Sequence, residues 1–499
     1  MPTPESPGPA SRPATGPLSP EFLPFDLDDI VAHSGHVTVF ADIDARLPRA
    51  ARRADKLTRG AVSRAVGSAD FAALEPGSGL VLKWPTGMQA EALQIIRLNR
   101  RADRAALRKA GLSIGKALSK SPALICADSM PLPDMLQAAA LRAYQYQAQK
   151  SAPKPDLGPL SVMVRDLDKA ADCADALALA RAVHLTRDLV NAPANVLTTT
   201  SFANQINDMQ ALGLKVEILD EDDLNRLGLR AMLAVGQGSD SPSKLAILHW
   251  QGAQGAPLAI VGKGVMFDTG GISIKPGAGM EEMTMDMGGA AVTVGLMQAL
   301  AERKARANVV GLVGLAENMP DGRAQRPGDV VQSMKGDMIE VINTDAEGRM
   351  VLADVLWYAQ DRFAPRAVID LATLTGAIIV ALGHDKAGVF ANDDALANAF
   401  LKAADHMGEG AWRMPLDPCY DKLISSRIGD VKNSGGRAAG SITAAQFLQR
   451  FIKPGTPWMH LDIAGVALPK TESAHAPKGA SGWGVLALDA LIRATFEDG

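Results

Sequence analysis

Cysteine is scarce in this chain: Cys126, Cys173 and Cys419 are the only three among 499 residues, and no two are spaced as CxxC. A sparse, odd, unpaired set argues against a disulfide framework and thiolate zinc sites, and fits a reducing compartment. Aromatic residues are few at 4%, a thin supply for platforms on which nucleic-acid bases stack. Neither sign of charge dominates. The 51 basic and 55 acidic side chains leave a formal charge of -4, which disfavours a nucleic-acid footprint and a polybasic membrane surface. Long apolar runs are also missing: stretches such as residues 377–382 fall far short of the roughly 20 residues that span a bilayer. Residues 1–24 are rich in Pro, Ser and Gly and lack a basic start followed by an apolar run. They read as a disordered extension, neither signal peptide nor anchor, and the protein is expected in the cytoplasm.

What is present suggests two α/β regions, since a single core stops growing well before this length. Over residues 25–165, short strand-like runs (36–40, 78–83, 123–126) alternate with Ala/Arg/Leu-rich helical stretches, the pattern of a smaller N-terminal α/β domain. Residues 150–159, with three prolines and a glycine, read as a surface loop. Residues 166–190 read as a linking helix into a larger domain, 191–499. There the runs 245–249, 258–261, 308–315 and 367–372 are almost wholly apolar, as in strands of a mostly parallel sheet covered on both faces by helices. Helices are expected over 288–306 and 348–363. Polar clusters follow these strands, and in such sheets the reaction crevice lies at the strands' carboxyl ends.

Three clusters carry candidate chemistry. Val261-Gly-Lys-Gly-Val-Met-Phe-Asp-Thr-Gly-Gly-Ile-Ser-Ile-Lys-Pro276 reads as a strand ending at Lys263, followed by one glycine-rich loop holding Asp268 and Lys275. Met283-Thr-Met-Asp-Met-Gly-Gly289 sets Asp286 alone among apolar neighbours at a helix start, costly to bury unless paired or metal-bound. In Ile339-Glu-Val-Ile-Asn-Thr-Asp-Ala-Glu-Gly-Arg349, Asp345 and Glu347 share one side of an extended segment. Singly, each has a bland reading: Asp286 as a helix N-cap, Asp345 and Glu347 as a solvated turn, Met283 as core packing. Lys263 beside glycines is not a P-loop lysine, since the GxxxxGK[ST] spacing is absent. Four carboxylates converging from strand-end loops suit hard or borderline divalent cations, which bridging carboxylates hold roughly 3.5–4 Å apart. A lysine ligand must be neutral, which a neighbouring metal charge promotes. A second, charged lysine could polarise a carbonyl.

These segments resemble the leucyl aminopeptidase (cytosol aminopeptidase) family, metallopeptidase family M17. The resemblance rests on Asn343-Thr-Asp-Ala-Glu-Gly-Arg349, on Gly262-Lys-Gly with Phe267-Asp-Thr-Gly-Gly and Ile274-Lys-Pro276, and on Met285-Asp-Met287 with Gly289-Ala-Ala291. Asp370-Leu-Ala-Thr-Leu-Thr-Gly376, Gly436-Arg437 with Gly440-Ser441 and, more weakly, Asn191-Ala-Pro-Ala-Asn-Val-Leu197 add to it. It covers roughly residue 180 to the C-terminus; the N-terminal third carries no matching motif.

The resemblance implies a dinuclear aminopeptidase that acts on peptides with apolar N-terminal residues such as Leu, with two Zn2+ or Mn2+ ions per subunit, assembled as a homohexamer. It assigns Lys263, Asp268, Asp286 and Glu347 to a tight metal site. Asp268, Asp345 (side chain and carbonyl) and Glu347 go to a more exchangeable one. Lys275 would face the scissile carbonyl, and Arg349 would hold a bicarbonate acting as general base. Met283, Thr373 and Gly376 are candidates for the pocket of the N-terminal side chain. Met266 and Thr284 depart from the family's usual small polar and basic residues, at positions that are not ligands. Two rivals stand beside this reading. Another two-metal hydrolase, a phosphatase or nuclease, would be richer in His and basic clamps, whereas the eight histidines here lie outside the motifs. A DNA-binding regulator on the same fold is disfavoured by the net negative charge and the lack of a basic stripe.

Overall fold

A computed structural model describes residues 18–473 and 476–497. Of these, one compact unit holds 18–184 with 472, 473, 476 and 477, and another holds 185–471 with 478–497. Most of the expected N-terminal extension lies outside the described residues. Its last residues do not fit that expectation: Glu21–Pro24 form strand β1, whose backbone pairs in parallel with a neighbouring strand. Pro24 is tolerated because an edge strand can spare one donor.

The first unit is built on a six-stranded sheet of β1, β2 (His36–Ala41), β3 (Gly79–Lys83), β4 (Ala92–Arg97), β5 (Ala123–Asp128) and β6 (Leu160–Val164). The order is β1-β6-β5-β2-β4-β3, parallel except for the β3–β4 pair. Val37, Val39, Leu93, Ile95 and Leu124 fill its core with Phe71 and the alanines of the helix Arg49–Leu57. That helix turns Ala50, Ala51 and Ala54 inward and leaves Arg49, Arg52 and Lys56 exposed. These three recur at helical spacing. One face of this helix is thus basic, a local feature that the whole-chain charge balance does not show.

The residues expected to form a linking helix begin as a 3-10 helix, Leu167–Cys173, with the α-helix proper over Ala174–Asn191. The second unit contains β7 (Lys215–Leu219), β8 (Lys244–Gln251), β9 (Leu258–Asp268), β10 (Asn308–Asn318), β11 (Val330–Gln332), β12 (Met338–Glu340), β13 (Ala367–Ala372), β14 (Ala387–Ala391), β15 (Ala411–Arg413), β16 (Val431–Lys432) and β17 (Trp458–Asp462). Eight form one sheet, β15-β14-β17-β13-β9-β10-β8-β7, and β11-β12-β16 form a small second one. The centre, β10-β9-β13-β17, is parallel; β8 and β7 continue it antiparallel.

The central strand β9 sets the site. Its side chains alternate faces. A Cβ on Gly262 would press on Gly289 and Ala290 of the helix Gly288–Glu302, and one on Gly264 would crowd Ala290. Val261 and Val265 pack instead in the core that holds Met350, Val351 and Val355 of the helix Gly348–Phe363. Helices thus cover both faces, and Lys263, at the same parity as Val261, is turned toward the second helix. Among the described residues no helix is long and apolar enough to cross a membrane.

Candidate metal centre

β9 does not end at Lys263. Its pairing with β10 runs on through Lys263↔Gly314, Gly264↔Leu315 and Val265↔Ala316 to Asp268↔Asn318 across a bulge. Lys263 is consequently a mid-strand residue, 2% exposed, and only Lys275 belongs to the following loop. Backbone pairing with β10, joined on the other side by β13 as far as Gly262, keeps the strand extended where glycine-rich sequence suggested a turn. The turn comes at Gly270 and Gly271, with φ of 87° and 64°. Those values favour glycine, and a Cβ on Gly270 would lie 2.8 Å from Asp345 Oδ1.

Lys263 Nζ donates to Asp286 Oδ1 at 2.6 Å, lies 2.7 Å from Glu347 Oε1, and reaches the Thr373 carbonyl at 3.3 Å. Asp286 Oδ1 also accepts from Thr373 Oγ1 at 2.8 Å. Asp286 is not a helix cap: it sits inside the 3-10 helix Met280–Met287, and no side chain caps the helix that follows. Lys275 Nζ lies 2.6 Å from Asp268 Oδ2 and also pairs with Asp345. Asp268 Oδ1 accepts from Asn318 Nδ2 at 2.7 Å and from the Gly270 amide at 2.9 Å. Asp345 and Glu347 lie in a turn, not an extended segment. The Ala346 amide donates to the Asn343 carbonyl at 3.1 Å, and Asn343 Oδ1 accepts from the Asp345 amide at 3.0 Å. Glu347 is the residue from which the helix Gly348–Phe363 starts.

Asp268, Asp286 and Glu347 each present an oxygen within 4.8 Å of the other two, and all three are buried. Four carboxylates against two ammonium groups leave excess negative charge, and three of those carboxylates are buried. Asp286 Oδ2 is buried and has no hydrogen-bond partner. A buried carboxylate oxygen without a donor is costly, and a divalent cation would satisfy it. The residues fit the metal.

The electrostatics follow from burial and from these pairs. Burial alone would discharge Lys263, but Asp286, Glu347 and Asp268 outweigh it and hold its ammonium charged. Asp268, Glu347 and Asp345 do the same for Lys275. Burial and then Glu347 push Asp268 up to about 6, against the pull of both lysines. Burial raises Asp286 and Asp345 as well. At Glu347 the two lysines overcome the burial effect and lower its value. Burial lowers Arg349 to about 10, opposed by Glu347 and Asp462.

The structure thus gathers Lys263, Asp268, Asp286, Asp345, Glu347, Lys275 and Thr373 into one cluster. Arg349, 7% exposed, follows two residues after Glu347, and its Nε is buried without a partner. Met283 is partly buried in the 3-10 helix, and Gly376, exposed, opens the helix Gly376–Leu382. Asp370 is not in the cluster: it accepts from Trp458 Nε1 at 2.7 Å and meets His460 Nδ1 at 2.6 Å inside the sheet.

Four supporting residues were given no role by the sequence, three of them outside every motif and Thr344 inside one. Asn318 holds Asp268 and donates to the Thr344 carbonyl at 3.1 Å. Thr344 Oγ1 donates to the Gly270 carbonyl at 2.6 Å and accepts from the Ser273 amide at 2.8 Å, joining the loop after Asp268 to the turn that carries Asp345. Asn433 holds the 342–346 turn. Asp462 accepts from the Leu374 amide at 3.1 Å and Thr375 Oγ1 at 2.7 Å, fixing the turn after Thr373.

The chain matches known proteins over most of its length. The catalytic domain of the cytosol aminopeptidase family matches residues 184–488. A "Probable cytosol aminopeptidase" of Cereibacter sphaeroides is 58% identical over 487 residues, covering 97% of this chain and 100% of the relative. Another, of Dinoroseobacter shibae, is 59% identical over 479 residues, covering 95% and 98%. Among solved structures, the bottromycin maturation enzyme BotP in complex with Mn superposes with a TM-score of 0.79 at 34% identity, covering 93% of this chain and 99% of that one.

Proposed function

The chain belongs to the cytosol aminopeptidase family and is a metal-dependent aminopeptidase; from that premise we propose that it removes N-terminal amino acids, Leu and other apolar residues preferred, from peptides, using two divalent cations held in the carboxylate cluster. The observation that carries this is the convergence of Asp268, Asp286 and Glu347 within 4.8 Å, with Asp286 Oδ2 buried and unpartnered.

Asp268, Asp286 and Glu347, with Lys263 once its ammonium has given up a proton, would hold one cation, and Asp268, Asp345 and Glu347 the other, Asp268 and Glu347 serving both. Zinc and manganese suit this donor set, and the similar enzyme BotP is seen in complex with Mn. Such cations supply Lewis acidity toward a carbonyl and lower the pKa of water toward neutrality. The chain's own residues do the rest. Lys275, kept charged by its carboxylate neighbours, would donate to the scissile carbonyl oxygen and to the oxyanion that develops there. Arg349 stays charged at neutral pH, since its value of about 10 lies well above it. Its unpartnered Nε fits a small anion, and bicarbonate held there would supply a general base. Met283, Thr373 and Gly376 would line the pocket for the N-terminal side chain; the space in front of Gly376 is open. Assembly as a homohexamer and residence in the cytoplasm complete the proposal.

The test is hydrolysis of Leu-, Met-, Ala- and Cys-Gly-type substrates and of p-nitrophenyl phosphate, with metal analysis, with and without Mn2+ and chelator. Aminoacyl hydrolysis that chelator abolishes and two ions per subunit are expected. Phosphate-ester hydrolysis alone, or peptidase activity indifferent to chelator, overturns the proposal. A second reading, nucleic-acid binding, has one observation in its favour, the exposed basic face of the helix Arg49–Leu57. Gel shift at physiological salt decides it, because phosphate contacts through such a face weaken steeply with salt.

A further inference from the structure

Asn433 lies just past β16, which pairs in parallel with β12 through Ile339↔Val431 and Glu340↔Lys432. Its own amide donates to the Glu340 carbonyl at 3.0 Å, so its backbone is anchored to the strand that leads into the ligand-bearing turn. The side chain is fully buried at 0% exposure. Its Oδ1 accepts from the Ile342 amide at 2.8 Å and the Asn343 amide at 3.3 Å. Its Nδ2 donates to the Asn343 carbonyl at 2.7 Å and the Ala346 carbonyl at 3.3 Å. A primary amide offers two donors and an acceptor with two lone pairs, and here all four sites serve one turn, the one that carries Asp345 and Glu347.

We propose that Asn433 is a positioning residue of the metal centre: it touches no carboxylate, but by clamping the backbone of residues 342–346 it sets where Asp345 and Glu347 present their oxygens. This rests on the metallopeptidase reading above. The argument is one of complementarity. The turn has amides and carbonyls pointing inward at one place, and only a group with donor and acceptor on opposite sides satisfies both. In Asn433→Asp, nearly the same in shape, a carboxylate oxygen replaces the donor and faces two carbonyls, which repels the turn. Groups that orient metal ligands in this indirect way are worth roughly 10- to 100-fold in metal affinity or activity.

A comparator separates positioning from plain structural support. Gln360 is also a buried amide satisfied by backbone: it accepts from the Lys453 amide at 2.7 Å and donates to the Leu356 and Phe451 carbonyls, both at 2.9 Å. It lies three turns along the helix from Glu347, at the end away from the cluster. The experiment titrates metal-free wild type, Asn433→Asp, Asn433→Ala and Gln360→Ala with Mn2+ by calorimetry, and records melting temperatures and kcat against KM for an aminoacyl-p-nitroanilide. Expected are a roughly 10- to 100-fold loss of Mn2+ affinity and a fall in kcat with KM little changed for both Asn433 variants. Gln360→Ala is expected to melt lower and bind Mn2+ like wild type. Asn433→Ser serves where the alanine variant does not fold. Wild-type Mn2+ binding in Asn433→Asp, or an equal loss in Gln360→Ala, overturns the inference while leaving the metallopeptidase reading intact. Absence of Mn2+ binding by wild type overturns both.

Discussion

A Cβ placed on Gly348 would lie 2.5 Å from Cε of Lys263 and 2.7 Å from its Nζ, so the first residue of one helix and the middle of the central strand occupy adjoining volumes with nothing to spare. Lys263 reaches Glu347 by passing over a glycine. Gly348→Ala should push the ammonium off Asp286 and Glu347 and lower Mn2+-dependent peptidase activity by about tenfold or more, the loss of roughly one charge-assisted hydrogen bond. Stability should change by no more than about 2 kcal/mol, since better helix propensity offsets part of the overpacking. Wild-type activity in this variant would show that Lys263 is free to move aside.

Lys263 is also the cation that two buried carboxylates share before a metal ion arrives. Replacing it with Met leaves Asp286 and Glu347, 4% and 2% exposed, without their shared cation. Breaking a buried pair on one side costs about 3–5 kcal/mol. The metal-free variant should therefore unfold at clearly lower urea concentration than metal-free wild type. An unchanged midpoint would mean that the carboxylates are already protonated in the metal-free protein.

Lys275 differs from Lys263 in being partly open, its side chain 19% exposed against 2%, as suits a group that must meet substrate. Lys275→Ala is expected to lower kcat by about 100- to 1,000-fold, the cost of removing one donor to a developing oxyanion, with two ions still bound. Loss of an ion from this variant would instead make Lys275 part of the metal-holding framework.

Asp268 links pH to metal. Its carboxyl is raised to about 6, chiefly by burial and then by Glu347. Below that value the metal-free site carries a proton that a cation must displace. Mn2+ affinity should climb as pH rises through about 6 and then level, with proton release visible as a buffer-dependent calorimetric heat. The sign for stability is opposite. A carboxyl raised above its unfolded value of roughly 4 stabilises the metal-free fold fully below that pH, and the contribution is lost as pH rises through about 6. A pH-independent Mn2+ affinity between 5 and 7 would contradict the assignment of Asp268 as a ligand.

Much of the site was legible before any coordinates. Asp286 among methionines, Asp345 and Glu347 two apart, and Lys263 and Lys275 around glycines are short-range patterns whose chemistry is anomalous unless paired or metal-bound. The helix Gly348–Phe363 was expected over its observed span, and the strands of the second unit could be read from their apolar runs. Other readings failed for stated reasons. Glycines in β9 suggested a turn, but pairing with β10 carries the strand on past Lys263 to Asp268, across a bulge. The near-balanced charge hid the outward Arg and Lys residues of the helix Arg49–Leu57, because acidic residues elsewhere cancel them in the total.

By itself, then, the sequence determined the family to which the chain belongs and singled out the residues proposed to carry its chemistry, because acidic residues, lysines and glycines sit within short motifs that local geometry constrains. Only the tertiary structure decided who meets whom: Lys263 with Asp286 and Glu347, Lys275 with Asp268 and Asp345, and Asn318, Thr373 and Asn433 behind them. Those pairings join segments brought side by side by a parallel sheet, whose crossovers separate neighbours widely along the chain. Their partners are largely backbone carbonyls and amides, which every residue has and no motif can announce.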